Sequence, residues 1–220
     1  MFGVTALCLS LFDKTGAMMA PWVESGRLAL IVDIQHPEGL TSEDGRLWKL
    51  GCDLRSGFQM PLGLPAHSHV EFAAAFPPCD HLAVSGARWF AGKGLRKLSL
   101  SVDLFATAAE TMESLGCPYQ IENPVSTIST YWRKPDYVFH PWYFTEFEPK
   151  DNYTKTTCLW TGGGFVMPEK AQNLTLGNQD NRIQTMPPGP ERANKRSATP
   201  MGYARAVYRA NSFEGQMGLL

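Results

Sequence analysis

The sequence predicts an α/β fold, with a mostly parallel central sheet flanked by helices. Three observations predict it. Apolar runs of strand length recur along the first 125 residues, and they end in acids, a Pro-Pro-Cys or a Glu-Asn. The first run leads into a turn with a glycine and then a helix candidate, which is how a nucleotide-type doubly wound sheet opens. The clearest amphipathic helix of the chain lies between two of these runs.

Residues 4–12 form the first run, too short and too poor in basic residues for an export or membrane segment, so it reads as a buried strand. The turn Asp13-Lys14-Thr15-Gly16 follows, then a helix candidate over 17–24. Residues 28–33 make the second strand, ending in Asp33. An acid at that place in a doubly wound sheet accepts hydrogen bonds from ribose hydroxyls, and the other reading is a turn or N-cap aspartate. Residues 48–54 read as a shorter third strand with Asp53 near its end. The stretch 57–68 is rich in Gly, Pro and His and reads as loop. Residues 70–76 are the fourth strand, delivering Pro77, Pro78 and Cys79.

Residues 82–94 read as a mobile loop over the site. Leu98, Val102, Phe105, Ala109 and Met112 then recur at helical spacing, and Gly116 closes the helix. Residues 119–122 are the fifth strand, ending in Glu122-Asn123-Pro124. Eight aromatic residues crowd the stretch from Tyr131 to Phe147, as a stacking surface for bases or as cover for the end of the sheet. A further strand is expected over 155–159, a flexible turn at 162–164, a long polar arm over 168–200, and a last helix from 201 that packs back. The expected organisation is one catalytic domain over 1–165, an arm over 166–200 and a C-terminal helix over 201–220.

Composition narrows the function classes. With 44% hydrophobic and 19% charged residues the chain is ordinary for a soluble domain, and its formal charge of -1 gives no overall basic excess. Between Arg182 and Arg209, however, six basic residues (Arg182, Arg192, Lys195, Arg196, Arg205, Arg209) stand against one acid. That arm either contacts phosphate or is a solvated loop. Five widely spaced cysteines show neither the pairs of a zinc site nor a secreted disulfide framework, so a reducing cytoplasm is expected and no metal. Cys79 is the cysteine placed at a strand-end turn, where a thiol can be reached. The other four sit in or beside strands, as small buried hydrophobes do.

These residues, in this order, resemble the cytosine-C5 DNA methyltransferases that use S-adenosylmethionine (AdoMet). The match lies in the Phe-containing turn Phe12 to Gly16, in Asp33, in Asp53, in Pro78-Cys79 and in Glu122-Asn123. The longer phrases from Pro77 to Trp89 and from Tyr153 to Trp160 look like those of short phage-encoded members, which would place the protein in a bacterial host's cytoplasm. The resemblance implies a Rossmann-like AdoMet-dependent methyltransferase fold. It implies a cofactor crevice lined by Phe12, Thr15, Gly16, Asp33, Ile34, Asp53, Leu54 and Pro77, and a catalytic group of Pro78, Cys79, Glu122 and Asn123, with Arg88 on a closing loop. The Cys79 thiolate would add to cytosine C6, and the Glu122 carboxyl would neutralise the ring at N3. The base would be flipped out of a duplex.

The chain departs from the family at three places. Lys14 and Thr15 stand where small residues are usual, Asp80 follows the cysteine and would raise its pKa, and no Gln-Arg-x-Arg signature is found, with Arg133 and Lys155 the stand-ins. About 95 residues follow Asn123-Pro124, too few for a normal target recognition domain, so low sequence selectivity on DNA is expected. Two further readings keep the sequence features: C5 methylation of a free pyrimidine nucleotide such as dCMP, and a catalytically weak phage factor that binds DNA or a host protein.

Overall fold

Leu7, Leu9 and Leu11 alternate with Cys8 and Ser10 along the first strand, and all five are fully buried. A strand buried on both faces belongs in the middle of a sheet covered on two sides. That is its place in the computed structural model, which describes residues 5–65, 67–189 and 192–213. The strands are β1 (Thr5–Leu11), β2 (Leu28–Val32), β3 (Gly39–Ser42), β4 (Leu47–Gly51), β5 (His67–Ala75), β6 (Tyr119–Asn123), β7 (Tyr137–Phe139) and β8 (Thr157–Gly162). They form one eight-stranded sheet in the order β3-β4-β2-β1-β5-β6-β8-β7.

The five strands β4-β2-β1-β5-β6 are parallel, whereas β3 pairs antiparallel with β4, and β8 runs antiparallel to both β6 and β7. The sheet is therefore mixed. Its parallel part reverses direction of growth between β1 and β5, so the carboxyl ends of those strands border a crevice.

The helices are α1 (Ala20–Glu24), α2 (Phe90–Lys93), α3 (Leu95–Ser114), α4 (Ile128–Tyr131), α5 (Arg182–Thr185), α6 (Arg192–Ser197) and α7 (Met201–Asn211). One core cluster joins Phe105, Ala108, Ala109 and Met112 of α3 to Leu7, Leu9, Leu30, Ala73, Ile121 and Trp160 of the sheet. The other joins Trp22 of α1 and Tyr203, Ala204 and Val207 of α7 to Cys8, Ala29, Ile31, Phe72 and Leu159. Trp22 stacks on Phe72 with ring centroids 4.9 Å apart, a pair worth about 0.5–1.5 kcal/mol beyond its buried area.

Several boundaries differ from those the sequence predicts. Helix α1 starts at Ala20 rather than 17, with Pro21 in its first turn. Strand β4 stops at Gly51, and Asp53 instead caps a 3-10 turn over Leu54–Ser56 by accepting the Arg55 N–H. The edge strands β3 and β7 were not expected. The expected mobile loop over 82–94 is a 3-10 turn (Val84–Trp89) followed by α2. In the aromatic stretch, Phe139 and Phe144 are buried and pack on Tyr203, which is the covering role, while Tyr131 stays exposed. The arm carries α5 and α6 and borders the crevice. The C-terminal helix ends at Asn211, and the expected span beyond 213 lies outside the described residues. Among the described residues no helix is long and apolar enough to cross a membrane.

Candidate active site

The crevice is a cleft of about 1270 Å³ along the carboxyl ends of β1, β2, β4, β5 and β6. Phe12, Thr15, Asp33, Ile34, Asp53, Leu54, Pro77, Pro78, Cys79, Glu122 and Asn123 all line it. Residues up to 111 positions apart in the chain meet here because parallel strands deliver their ends to one edge. Four expected residues, Gly16, Arg88, Arg182 and Lys195, stand outside the lining. Gly16 is buried beneath the turn, Arg88 is exposed with its guanidinium 5.0 Å over the Trp89 ring, and Arg182 closes on Asp180 and the Lys150 carbonyl.

The turn after β1 is built around Asp13. Its carboxylate is buried and accepts from the Ser10 hydroxyl at 2.8 Å, the Thr15 N–H at 2.9 Å and the Gly16 N–H at 2.7 Å. The Gly16 amide is thus committed inside the turn. Phe12 adopts a φ of 56°, a left-handed conformation that costs a non-glycine residue about 1 kcal/mol or more. It puts the Phe12 ring at the cleft while Asp13 points inward. The Asp13 carbonyl oxygen also lies 3.0 Å from His36 Nε2, which ties the turn after β1 to the one after β2.

At the end of β2, Asp33 Oδ1 accepts the Gln35 N–H at 2.7 Å, and Oδ2 has no partner among the described residues. That oxygen is open to a hydroxyl of a ligand. Asp53 is engaged by Arg55, whose Nε donates to it at 2.7 Å, and this pair holds the carboxylate below the usual range. An open carboxylate oxygen, the aromatic ring of Phe12 and the exposed Ile34 thus share one crevice.

Cys79 follows β5, and Glu122 lies near the end of the neighbouring hydrogen-bonded strand β6. The turn after β5 is fixed by the Cys79 carbonyl, which accepts from Leu82 N at 3.0 Å and Ala83 N at 2.8 Å. Asn123, 1% exposed, clamps the two strand ends: its Nδ2 donates to the Pro77 carbonyl at 2.9 Å, and its Oδ1 has no partner. Lys155, just before β8, lies 3.8 Å from Glu122 Oε1, both side chains 11% exposed. Arg133, the other stand-in, instead pairs with Asp136 and donates to the Thr161 carbonyl, away from the cleft lining. The sequence offered Lys155 as a stand-in for the missing Gln-Arg-x-Arg signature but not as the partner of Glu122; only its place before a strand that returns beside β6 could have signalled that pairing.

The arrangement offers a nucleophile, a carboxyl group and a cation at one spot. Burial, then Asp80 and Glu122, push the Cys79 thiol up to about 11, while Lys155 works in the opposite direction. Below that value the thiolate fraction grows about tenfold per pH unit, so alkylation of Cys79 by iodoacetamide should rise steeply between pH 7 and 10. Asp80→Asn should accelerate it and Lys155→Met should retard it at a fixed pH, as read by peptide mapping. A rate that is flat with pH, or unchanged in both variants, would contradict this electrostatic assignment.

The other cysteines are unpaired, and Cys8, Cys117 and Cys158 are buried. Among the described residues no group of three or more His, Cys, Asp or Glu is placed to hold a metal ion. No protein-family model matches the chain, and no curated protein is similar to it.

Proposed function

We propose that the protein transfers a methyl group from AdoMet to C5 of cytosine in DNA, with little sequence selectivity. The observation that carries this reading is the pairing of Cys79 with Glu122 at adjacent strand ends, clamped by Asn123 on Pro77, in the same cleft as Asp33. Supporting it is the order of the parallel strands, third-second-first-fourth-fifth when β3 is set aside, which is the doubly wound order of nucleotide-binding sheets. The reversed β8 beside β6 fits a Rossmann-like methyltransferase sheet.

AdoMet supplies an electrophilic methyl on its sulfonium; the rest falls to side chains of this chain. The Cys79 thiolate forms a bond to C6 of the pyrimidine, which makes C5 electron-rich. The Glu122 carboxyl, protonated in the complex, would donate to N3 as the thiolate adds, general acid assistance of about 10²–10⁴ in rate. Lys155, beside Glu122, adds a positive charge where the attacked ring becomes electron-rich. C5 would then take the methyl, the demethylated thioether being the leaving group, and loss of the C5 proton to a base with cleavage of the C6–Sγ bond would restore the aromatic ring and free Cys79. Asn123 acts by holding the Cys79 turn against β6.

The test is incubation with methyl-labelled AdoMet and, in separate reactions, DNA and dCMP. Label in DNA recovered as 5-methylcytosine supports the reading; label only in dCMP moves the substrate to the free nucleotide. Asp33→Ala should weaken AdoMet binding in calorimetry by about 1.5–3 kcal/mol, the worth of a hydrogen bond to a charged group. Absence of binding by the unmodified protein at millimolar AdoMet would remove the methyltransferase reading.

A further inference from the structure

The stretch from His81 to Val102 carries Arg88, Lys93, Arg96 and Lys97 and not one carboxylate, in a chain whose formal charge is -1. It borders the cleft through Ser85, Gly86, Lys93 and Leu100, and the Lys93 ammonium donates to the Asp80 carbonyl, next to Cys79, while Arg88, Trp89, Arg96 and Lys97 stand outside the cleft lining. Arg96 and Lys97 are exposed and make no ion pair among the described residues. Within the same stretch Trp89 is 61% exposed, with Arg88 5.0 Å from its ring centre. On the other side of the cleft, the arm presents Arg192 and Arg196. The cleft at Cys79 thus takes Lys93 from this segment and Arg192 and Arg196 from the arm, in a lining that also holds Asp13, Asp33, Asp53, Asp80 and Glu122, and the exposed Trp89 stands on the segment that carries Lys93.

We infer that a single-stranded polynucleotide runs over the exposed Arg88–Lys97 segment into the Cys79 cleft, its backbone held by Arg96 and Lys97 and an unpaired base stacked on Trp89. The inference rests on the proposed reading only in taking Cys79 as the reacting centre. Arg88, Lys93, Arg96 and Lys97, with no acid between them, match a polyanion, and they extend beyond the cleft lining, farther than one nucleotide's phosphate reaches. The aromatic decides between strand forms. Inside a duplex the base faces are already stacked, so an exposed tryptophan gains nothing there, whereas an unpaired base offers its π-face without prior unstacking. A cationic groove with an interleaved aromatic ring is the combination that single strands use.

The experiment is fluorescence anisotropy with a labelled 20-nucleotide cytosine-containing strand, its duplex and competing dCMP, read over a salt series without methyl donor. The single strand should bind tighter than the duplex, and dCMP should not displace it at equal nucleotide concentration. Arg96→Ala with Lys97→Ala should flatten the slope of log affinity on log salt by about 1.4, at about 0.7 per lost phosphate contact. Trp89→Ala should weaken the single strand about 5- to 150-fold, and the duplex little. Thermal melts verify that these surface variants stay folded. Equal or tighter binding of duplex, or an unchanged slope together with an unchanged Trp89→Ala affinity, overturns the inference. Because no turnover is needed, a failed methyl-transfer assay leaves this result standing. Methyl transfer to dCMP or duplex without any single-strand preference would overturn the inference and keep the Cys79 chemistry.

Discussion

DNA containing 5-fluorocytosine is expected to become covalently joined to Cys79 in the presence of AdoMet, and the joined species should survive denaturation. The fluorine at C5 cannot leave as a proton, so once the methyl has been delivered the elimination that frees the thiol is blocked. Cys79→Ser should abolish the adduct, because a serine hydroxyl is far less ionised near neutral pH and a poorer nucleophile. Glu122→Gln should keep AdoMet binding but slow adduct formation by about 10²–10⁴. The clamp from Asn123 to the Pro77 carbonyl should persist in that variant, since it does not pass through the Glu122 side chain. Mass spectrometry of the trapped peptide locates the bond. Full methyl transfer by Cys79→Ala, or a trapped peptide carrying Cys52, Cys117 or Cys158, would falsify the C5 route. Methylation of an exocyclic amine, which needs no covalent cysteine, would then be the reading to test.

Asp13→Ala should be the most damaging substitution outside the Cys79–Glu122 pair. The buried carboxylate accepts from Ser10, Thr15 and Gly16, and hydrogen bonds to a charged group contribute about 1.5–3 kcal/mol each. Its removal leaves the Thr15 and Gly16 amides without an acceptor and lets Phe12 relax from its left-handed conformation. A loss of about 3–5 kcal/mol in urea unfolding, with AdoMet affinity lost under conditions where the protein is still folded, is the expected outcome. Asp13→Asn keeps an acceptor oxygen and should recover part of the stability. If Asp13→Ala bound AdoMet normally, the turn after β1 would have no part in the cofactor crevice.

What could be read from the chain and what could not follows from the physics of each signal. The core strands β1 and β2 were legible because strands buried on both faces are written as nearly unbroken apolar runs, whereas β5 and β6 were marked chiefly by the Pro-Pro-Cys and Glu-Asn at their ends, at the edge of the sheet where ligands bind. Strand β3 was not, since its four residues are at most half-buried on an edge. The Asp44-Gly45 pair between β3 and β4 was the hairpin signal available. Strand β7 is three residues within an aromatic crowd, where alternation cannot be counted. In the site, Cys79, Glu122, Asn123, Asp33 and Asp53 could be named from position alone. The partner of Glu122 could not, because Lys155 reaches it through the antiparallel return of β8, a tertiary event with no local pattern. Arg182 illustrates the reverse: its charge suggested phosphate, but a local acid two residues away, Asp180, takes it.

The dependence of the cleft on helix α7 bears on how the protein is made. Tyr203 of α7 donates to Gln120, 83 residues earlier, at 2.5 Å, and the Gly202 N–H donates to the Asp151 carboxylate at 2.7 Å. The arm that supplies Arg192 and Arg196 is strung between these anchors and β8. A chain leaving the ribosome can assemble β1 to β6 while α7 is still being synthesised, and at that stage its Cys79 faces a cleft without the arm. Closing it requires contacts of long sequence separation, which form late. The nascent protein thus carries Cys79 in an unfinished cleft until the arm and α7 are in place.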